Sequence, residues 1–288
     1  MNRIFKTLVV SLVTNLTLVI FKIIFGIIGH SRALIVDGVH SFSDLITDMV
    51  AMAGDRISRV PADKEHPYGH GKAEYITSLF IGSIIFLLGL SLIIDTILKP
   101  SYIPDNAVVI VIVSTIIAKY LLARYIIRIG KLEKNNILIS SGQESYTDVL
   151  SSLVVLVSFI LSKFNKYHII FTYSDKVGGI IISVLILRVG FRIIKENTNA
   201  LMDEKVNDKQ FLIRVNRLIK KCKEVKKVDS IHIIKNGHYY KVNIQISVDR
   251  DLTLLESHDI AHKVEDYLKS KINNMKYIDI HVNPYIEE

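Results

Sequence analysis

Two short stretches of this chain are near-copies of one another, and both lie inside long apolar runs. Each reads ligand, Ser, aromatic, hydroxyl, Asp and two aliphatic residues, starting at His40 and at Glu144. Residues four apart share one face of a helix, so His40 pairs with Asp44 and Glu144 pairs with Asp148. One imidazole and three carboxylates inside a membrane are costly unless a divalent cation offsets their charge. The spacing therefore predicts a metal site between two helices.

Other polar residues in the same runs are candidates for supporting roles. Asp48, one turn beyond Asp44, either extends the polar face or marks the cytoplasmic mouth of the path. Asn15 and Lys22 are expected to be hydrogen-bonding and ion-pairing partners within the helix bundle. A closed site of His and carboxylate ligands suits zinc, and a larger share of oxygen ligands favours Mn(II) or Fe(II).

A second group of ligand-type residues lies between the apolar runs, at Asp63, His66 and His70. Pro67 and Gly69 allow a tight turn that brings these three side chains together. On spacing alone, two readings stay open: a metal site, and a solvated loop whose histidines cap the next helix.

Long apolar helices must position these candidate ligands. Half of the 288 residues are hydrophobic, and the mean hydropathy is positive. A membrane span needs about 20 mostly apolar residues. The sequence predicts six spans, at residues 7–29, 33–54, 75–97, 106–128, 145–163 and 169–194. The second and fifth carry the ligand pairs and are the least apolar, so we expect them to be shielded from lipid.

The distribution of Lys and Arg predicts the orientation of the chain. These residues are concentrated at the N-terminus, in the loops after the second and fourth predicted spans, and at the end of the sixth. By the positive-inside rule both termini are expected to be cytoplasmic, in the cell (plasma) membrane. The net charge of +8 is explained by this bias and by a Lys-rich soluble surface, so no nucleic-acid partner is predicted.

The last third of the chain reads as a soluble domain. We predict a transmembrane domain over residues 1–200 and a cytoplasmic α+β domain over 201–288, with the order α-β-β-α-β. A helix capped by Asn207 or Asp208 runs to about residue 224, strands lie near 230–235, 239–248 and 277–282, and a capping box opens a helix near 253–271. Asn236-Gly237 predicts the hairpin turn. Cys222 is the single cysteine, which agrees with a reduced compartment.

Four segments together resemble the cation diffusion facilitators, a family of metal/proton antiporters. They are Ala33–Asp44, His66–Glu74, Asp148–Ser152 and Leu201–Asp203. The resemblance covers nearly the whole chain, and the run from His66 to Glu74 is its most specific part.

The resemblance implies a homodimer with six transmembrane helices per subunit and a metallochaperone-like cytoplasmic domain. It implies a transport site at the two ligand pairs already described and a metal site in the loop. It also implies that Lys72 forms an ion pair with Asp203 that helps to hold the dimer.

The chain departs from the family pattern at two places. Zinc-transporting members carry His where this chain has Glu144, and manganese members use acidic pairs on both helices. In the cytoplasmic domain, Gln245 replaces a His ligand, and Asn283 replaces an Asp that bridges two zinc ions. The remaining matches to that binuclear site are His232, His258 and His281. One weaker regulatory site, or none, is expected there.

The predicted function is therefore proton-coupled efflux of a divalent transition metal (zinc, or manganese or iron) from the cytoplasm. Protons are the counter-ion, and His40 is the predicted proton carrier because the ordinary pKa of imidazole is nearest to working pH. Two alternatives use the same four ligands: a membrane metal sensor and an intramembrane metalloenzyme. An intramembrane metalloenzyme is expected to carry a motif such as His-Glu-x-x-His, which this sequence lacks. A sensor would bind the metal at the same ligands without transporting it.

Overall fold

A computed structural model describes residues 3–133 and 136–286 of the chain. Within these residues, eight α-helices and a three-stranded sheet follow in the order predicted from hydropathy and turn signals. The helices are α1 (Arg3–Ile28), α2 (Arg32–Ser58), α3 (Ala73–Leu98), α4 (Ala107–Leu132), α5 (Asn136–Ser162), α6 (Ser174–Leu201), α7 (Lys209–Ile219) and α8 (Leu254–Lys271), and the strands are β1 (Val225–Asn236), β2 (Tyr239–Val248) and β3 (Met275–Pro284).

The chain divides into two compact units. The first contains Met1–Val50 and Phe80–Ile193, and the second contains Ala51–Leu79 and Ile194–Glu288. The division at residue 200 into a transmembrane transport domain and a cytoplasmic regulatory domain stays a prediction.

Five helical segments in the described part of the chain are long and apolar enough to cross a membrane: Lys6–Ile28, Ala73–Leu98, Ala107–Leu132, Ser141–Lys166 and Ile169–Leu201. The other long helix, α2, is 27 residues long but less apolar. Its polar side chains include Asp37, Ser41 and Ser43, and all three are buried. The membrane region thus has five apolar helices together with α2, which hides its polar face among its neighbours.

One predicted span starts earlier than predicted. The helix that contains Asp148 starts at Asn136, and its apolar segment starts at Ser141, four residues before the predicted start at 145. The sixth apolar segment starts at the predicted residue, 169, where a short 3-10 helix, Ile169–Tyr173, precedes α6.

The core of the first unit lies where five helices meet. Its buried side chains are aliphatic, apart from Phe159, and they come from α2, α3, α4, α5 and α6; the central ones are Leu34, Ile85, Ile112, Val155 and Ile182. Large apolar side chains on the outer faces, such as Phe80 and Ile110, are exposed, as expected for helices surrounded by lipid.

The first turn of α2 is capped by a carboxylate from another helix. Asp175, near the start of α6, accepts hydrogen bonds from the hydroxyl of Ser31 (2.6 Å) and from the backbone N–H groups of Arg32 (2.5 Å) and Ala33 (3.3 Å). These N–H groups have no partner within α2, and a negative charge also favours the positive end of the helix dipole. The contact fixes the position of α2 along α6.

The soluble part of the second unit is the predicted α-β-β-α-β domain. β1 and β2 are antiparallel, β2 and β3 are parallel, and β2 is the central strand. α8 connects the two parallel strands and opens with the predicted capping box between Thr253 and Glu256. Of the two predicted caps, Asn207 and Asp208, it is Asp208 that caps α7. Gly237 has φ 61°, which the tight hairpin turn requires.

The boundary between α7 and β1 was predicted incorrectly. The helix ends at Ile219 and the strand begins at Val225, so the strand is longer than predicted. Its register with β2 shifts between Val225 and Lys227 and again between Val228 and Ser230. These irregularities break the two-residue alternation by which a strand is recognised in sequence.

Candidate metal centres

The first centre is formed by α2 and α5. One ligand atom from each of His40, Asp44 and Asp148 lies within 4.8 Å of the others. His40 Nδ1 and Asp44 Oδ2 are 3.7 Å apart on successive turns of α2, and Asp148 is buried on α5. Three of the four predicted ligands are therefore close enough to share one ion.

Glu144 occupies a different position from these three. It is exposed, and it is not part of the group of three ligand atoms. It does line the same small cavity as Asp44 and Asp148, together with Asn15 and Lys119. Glu144 lies one helical turn before Asp148, so it lines the cavity at a different level along α5.

The cavity itself has a volume of about 20 Å³. A volume of roughly 10–15 Å³ on this measure is enough for one water molecule. The cavity beside Asp44, Glu144 and Asp148 therefore has room for one ion or water molecule of that size. Asn15 from α1 adds an oxygen donor, since its Oδ1 is buried and has no hydrogen-bond partner among the described residues. The side chain of Asp48 lies outside the part of the chain that the structure describes.

A lysine that was not among the predicted site residues, Lys119, lies directly beside the site. Lys119 of α4 donates a hydrogen bond to Asp148 Oδ2 and forms an ion pair with it, and the two side chains are only 3% and 7% exposed. Lys119 interrupts the apolar sequence of the fourth predicted span. An ionisable residue at that depth usually has a functional partner, so its position in the sequence was the available signal.

A second buried ion pair stabilises the helices that carry the ligands. Lys22 of α1 and Asp37 of α2 are 2.7 Å apart, and both side chains are fully buried. Ser151 and Ser152 of α5 donate hydrogen bonds to the two Asp37 oxygens at 2.7 and 2.8 Å. Lys22 also donates to the hydroxyls of Ser41 (3.2 Å) and Ser152 (3.0 Å). This network connects α1, α2 and α5, and it confirms the predicted ion-pairing role of Lys22.

The close approach of α1 and α2 depends on a glycine. A Cβ atom at Gly38 would lie 2.8 Å from the Cγ1 atom of Ile23 and 3.1 Å from the Cβ atom of Lys22. A larger side chain would separate the two helices and weaken the pair that Lys22 forms with Asp37.

The second centre is the loop between α2 and α3. One ligand atom from each of Asp63, His66 and His70 lies within 4.8 Å of the others. Asp63 Oδ1 is 3.3 Å from His66 Nδ1, Asp63 Oδ2 is 3.5 Å from His70 Nε2, and the two rings are 4.3 Å apart. The side chains of Asp63 and His66 are about half-exposed and that of His70 is 21% exposed, so an ion could reach them from solvent.

Contacts with the sheet hold this loop in place. The hydroxyl of Tyr75 donates to the carbonyl of Lys235 (3.2 Å) and accepts from the backbone N–H of Gly237 (3.0 Å). The hydroxyl of Tyr239 donates to the carbonyl of Tyr68. These bonds fix the loop against the β1–β2 hairpin.

The shape of the loop depends on a carboxylate, which predicts a dependence on pH. Asp63 Oδ1 accepts from the backbone N–H groups of His66 (2.6 Å) and Glu65 (3.0 Å), and the bond from His66 holds the pKa of the Asp63 carboxyl below its ordinary value. Because the folded pKa is lowered, this stabilisation is complete above the ordinary value of 3.8 and is lost as the pH falls through the folded value. Hydrogen-exchange protection of the His66 amide is therefore expected to stay constant above the ordinary pKa of 3.8 and to decrease as the pH falls from there through the folded pKa.

The control is Asp63→Ala, in which protection of the same amide should be low at every pH. Equal protection in this variant and in the wild type would contradict the capping role of Asp63.

The histidines of the soluble domain do not form a comparable group. His232 on β1, His258 on α8 and His281 on β3 are exposed, and within the described residues of one chain they make no cluster of three ligand atoms. The side-chain amide of Asn283 donates to Asp229 (3.2 Å), which also accepts from Ser247 (2.7 Å). These bonds hold the pKa of the Asp229 carboxyl below its ordinary value.

Lys72 and Asp203 do form an ion pair, with Nζ and Oδ1 2.8 Å apart. The same ammonium donates to the carbonyl of Leu201 (3.3 Å) at the end of α6. Asp203 has φ 60°, a conformation that short polar side chains tolerate after a helix C-terminus. The pair lies within one chain and is about half-exposed.

Comparison with known proteins matches both parts of the chain. A family model of the cation efflux transmembrane domain matches residues 8–202, and one of the cation efflux protein cytoplasmic domain matches residues 208–285. A solved structure of a variant MamM CTD is 18% identical with a TM-score of 0.27, and it covers 27% of this chain and 99% of that chain.

Two relatives of nearly equal length come from Bacillus subtilis (strain 168). Manganese efflux system protein MneP is 30% identical over 288 residues, which are 98% of this chain and 97% of MneP. Manganese efflux system protein MneS is 28% identical over 279 residues, which are 96% of this chain and 93% of MneS. With both family models matched in order along nearly its full length, the chain belongs to the cation diffusion facilitators, a family of membrane transporters that perform cation efflux.

Proposed function

We propose that this transporter exports Mn(II) from the cytoplasm in exchange for protons. The observation that carries the proposal is the grouping of the ligand atoms of His40, Asp44 and Asp148, beside a cavity that Asp44 and Asp148 line and that has room for one water-sized particle. A site rich in carboxylate and amide oxygens suits Mn(II) better than a site rich in imidazole or thiolate. Two relatives, MneP and MneS, are named as manganese efflux proteins, which supports the same metal. Zinc and iron are the competing substrates.

Glu144 is the proposed fourth ligand. It lies one turn before Asp148 and lines the same cavity. A change of the Glu144 side-chain rotamer would therefore be enough for it to bind the ion. Asn15 supplies a further oxygen from α1, again as a proposal. With these residues the donor set is one nitrogen and otherwise oxygen, which favours a hard divalent ion.

Release of the ion is proposed to depend on protons from outside. Metal ligands must be deprotonated to bind, so protonation of His40 and of the carboxylates lowers the affinity for metal. Loss of these protons on the cytoplasmic side restores it. The protein is then a secondary active transporter and not an enzyme, and rocking of the bundle that contains α2 and α5 alternates access to the site.

The proposed assembly is a homodimer in the plasma membrane with both termini in the cytoplasm. Residues 1–200 form the transport domain, and residues 201–288 form the domain that regulates and dimerises. The pair of Lys72 with Asp203 stabilises the part of each subunit that forms the dimer. The loop group of Asp63, His66 and His70 is a second metal site. In the cytoplasmic domains, a weaker regulatory ion is proposed to bind across the dimer through histidines of both subunits, namely His232, His258 and His281.

The test is metal uptake into proteoliposomes that contain the full-length protein, with a pH gradient and either Mn(II), Fe(II), Zn(II), Co(II) or Cd(II). The wild type is expected to move Mn(II) best. Glu144→His replaces an oxygen ligand by nitrogen and is expected to shift the ratio of Zn(II) to Mn(II) uptake by about tenfold towards Zn(II).

Three further outcomes would each revise the proposal. A wild type that already prefers Zn(II), with no effect of Glu144→His, would remove Glu144 from the selectivity of the site. Metal binding without uptake would identify a sensor. Full coupling of metal to protons in His40→Ala would exclude His40 as the proton carrier.

A further inference from the structure

Among the residues that the structure describes, Lys119 is a charged group in contact with the metal group that the proposed function leaves unexplained. Its side chain is 3% exposed, and its ammonium is bound to Asp148, which is also a proposed metal ligand. Burial of a lysine in the membrane is costly, so the ammonium must be held there by a partner that offsets its charge. Asp148 is that partner among the described residues.

The charge of the cavity points to a functional role. Three carboxylates line it, namely Asp44, Glu144 and Asp148, and Lys119 is the cation beside them. Three negative charges and one positive charge leave a net charge of −2 when the imidazole is neutral. A divalent ion neutralises that charge, and a monovalent ion leaves half of it. Without Lys119 a divalent ion would leave the site negative.

Lys119 differs in its bonding from the other buried lysine of the bundle. Lys22 is held by Asp37, Ser41 and Ser152, and Asp37 is not part of the metal group. Lys119 donates one hydrogen bond among the described residues, to Asp148. An ammonium on a flexible four-carbon stem with a single partner can leave that partner far more easily than one with three.

We propose that Lys119 is a tethered cation that occupies Asp148 when the site holds no metal, and that the entering divalent ion displaces it. This inference rests on the proposed function, since it assumes that Asp148 is a transport ligand. Asp148 then has a positive partner in both states, which avoids a buried unpaired carboxylate after release. The returning ammonium competes with the ion for the same oxygen. Lys119 therefore lowers the affinity of the site for metal and promotes release.

The experiment compares two substitutions of Lys119 with opposite expected effects. Mn(II) is titrated into the purified full-length protein in detergent, and the dissociation constant is measured by calorimetry. Lys119→Met removes the competing cation and is expected to tighten Mn(II) binding by about tenfold or more. Lys119→Arg keeps the charge, but an arginine can donate two parallel hydrogen bonds to a carboxylate. Because the ion would displace it less easily from Asp148, Mn(II) binding is expected to weaken by about tenfold.

The pair of variants separates displacement from a simple field effect. If Lys119 acts only through its charge, Lys119→Arg leaves the dissociation constant unchanged, and displacement is overturned. If Lys119→Met leaves it unchanged or weakens it, Lys119 is a structural support and the inference is wrong. Should Lys119→Met fail to fold, Lys119→Arg still decides between the two.

Asp44→Asn, measured in the same way, tests the proposed function independently of Lys119. Asp44 belongs to the metal group, and Lys119 makes its ion pair with Asp148 instead. If Asp44→Asn binds Mn(II) as tightly as the wild type, the α2–α5 site is not the Mn(II) site, and the proposed function fails whatever the lysine variants show.

Discussion

Asp148→Asn is expected to reduce metal uptake strongly and to destabilise the protein, whereas Asp44→Asn is expected to reduce uptake alone. Both substitutions keep the shape of the side chain and remove one ligand charge, which should lower uptake by about 100-fold. Only Asp148 also forms the buried pair with Lys119. Breaking such a pair leaves an uncompensated charge, which costs about 3 kcal/mol or more.

The comparison requires two measurements on each purified variant. Uptake of Mn(II) into proteoliposomes reports the loss of the ligand, and thermal unfolding in detergent reports the loss of the ion pair. Equal unfolding temperatures for the two variants would show that the ammonium of Lys119 is not held by Asp148. Normal uptake by either variant would remove that carboxylate from the transport site.

Asp37→Asn is expected to have the second large effect, on stability. Asp37 and Lys22 are fully buried 2.7 Å apart, and the neutral variant leaves the Lys22 ammonium without its counter-charge. Loss of one partner of such a pair costs about 3–5 kcal/mol. A loss of that size is a large fraction of the stability of most domains, so lower yield of folded protein is expected as well.

The matched control removes both charges together. The double variant Lys22→Met with Asp37→Asn leaves no buried ion, and it is expected to recover most of the stability lost in Asp37→Asn. The free energy of unfolding of each variant and of the wild type is measured by denaturant titration. Unfolding is followed by far-UV circular dichroism, because the chain has no tryptophan for fluorescence. No recovery in the double variant would mean that the hydrogen bonds to Ser151 and Ser152, rather than the charges, hold the helices together.

The near-repeat in the sequence was sufficient to find most of the candidate site. His40, Asp44 and Asp148 share helix faces by simple periodicity, and the structure places their ligand atoms together. Glu144 obeys the same periodicity but is exposed, because a shared face does not fix the depth of a residue along the helix axis. The facing of two helices is a tertiary property that one sequence does not determine.

Lys119 was not predicted as part of the site, because it belongs to neither of the two repeated ligand motifs. Its own span is mostly apolar, and nothing near it in the sequence repeats the ligand pattern. Its partner lies 29 positions away on the next helix. A list of every ionisable residue within the predicted spans would have included it together with Lys22 and Asp37.

The soluble domain illustrates the same contrast on a smaller scale. Turn and cap signals are local, so Asp208, Thr253 with Glu256 and the hairpin at Gly237 were predictable. The start of β1 was not, because its bulged register depends on pairing with β2. The proposed site of His232, His258 and His281 needs ligands from two subunits, so the sequence of a single chain does not determine whether it forms.

The cap that Asp175 provides to α2 also offers a direct way to observe motion. The amide hydrogens of Arg32 and Ala33 are held by a carboxylate from α6, so they exchange with solvent only when the two helices separate at that end. Their exchange rates therefore report how often α2 and α6 part during the transport cycle. If both amides remain slow to exchange in the presence of metal and a pH gradient, α2 and α6 move as one body, and the motion that opens the site must occur elsewhere in the bundle.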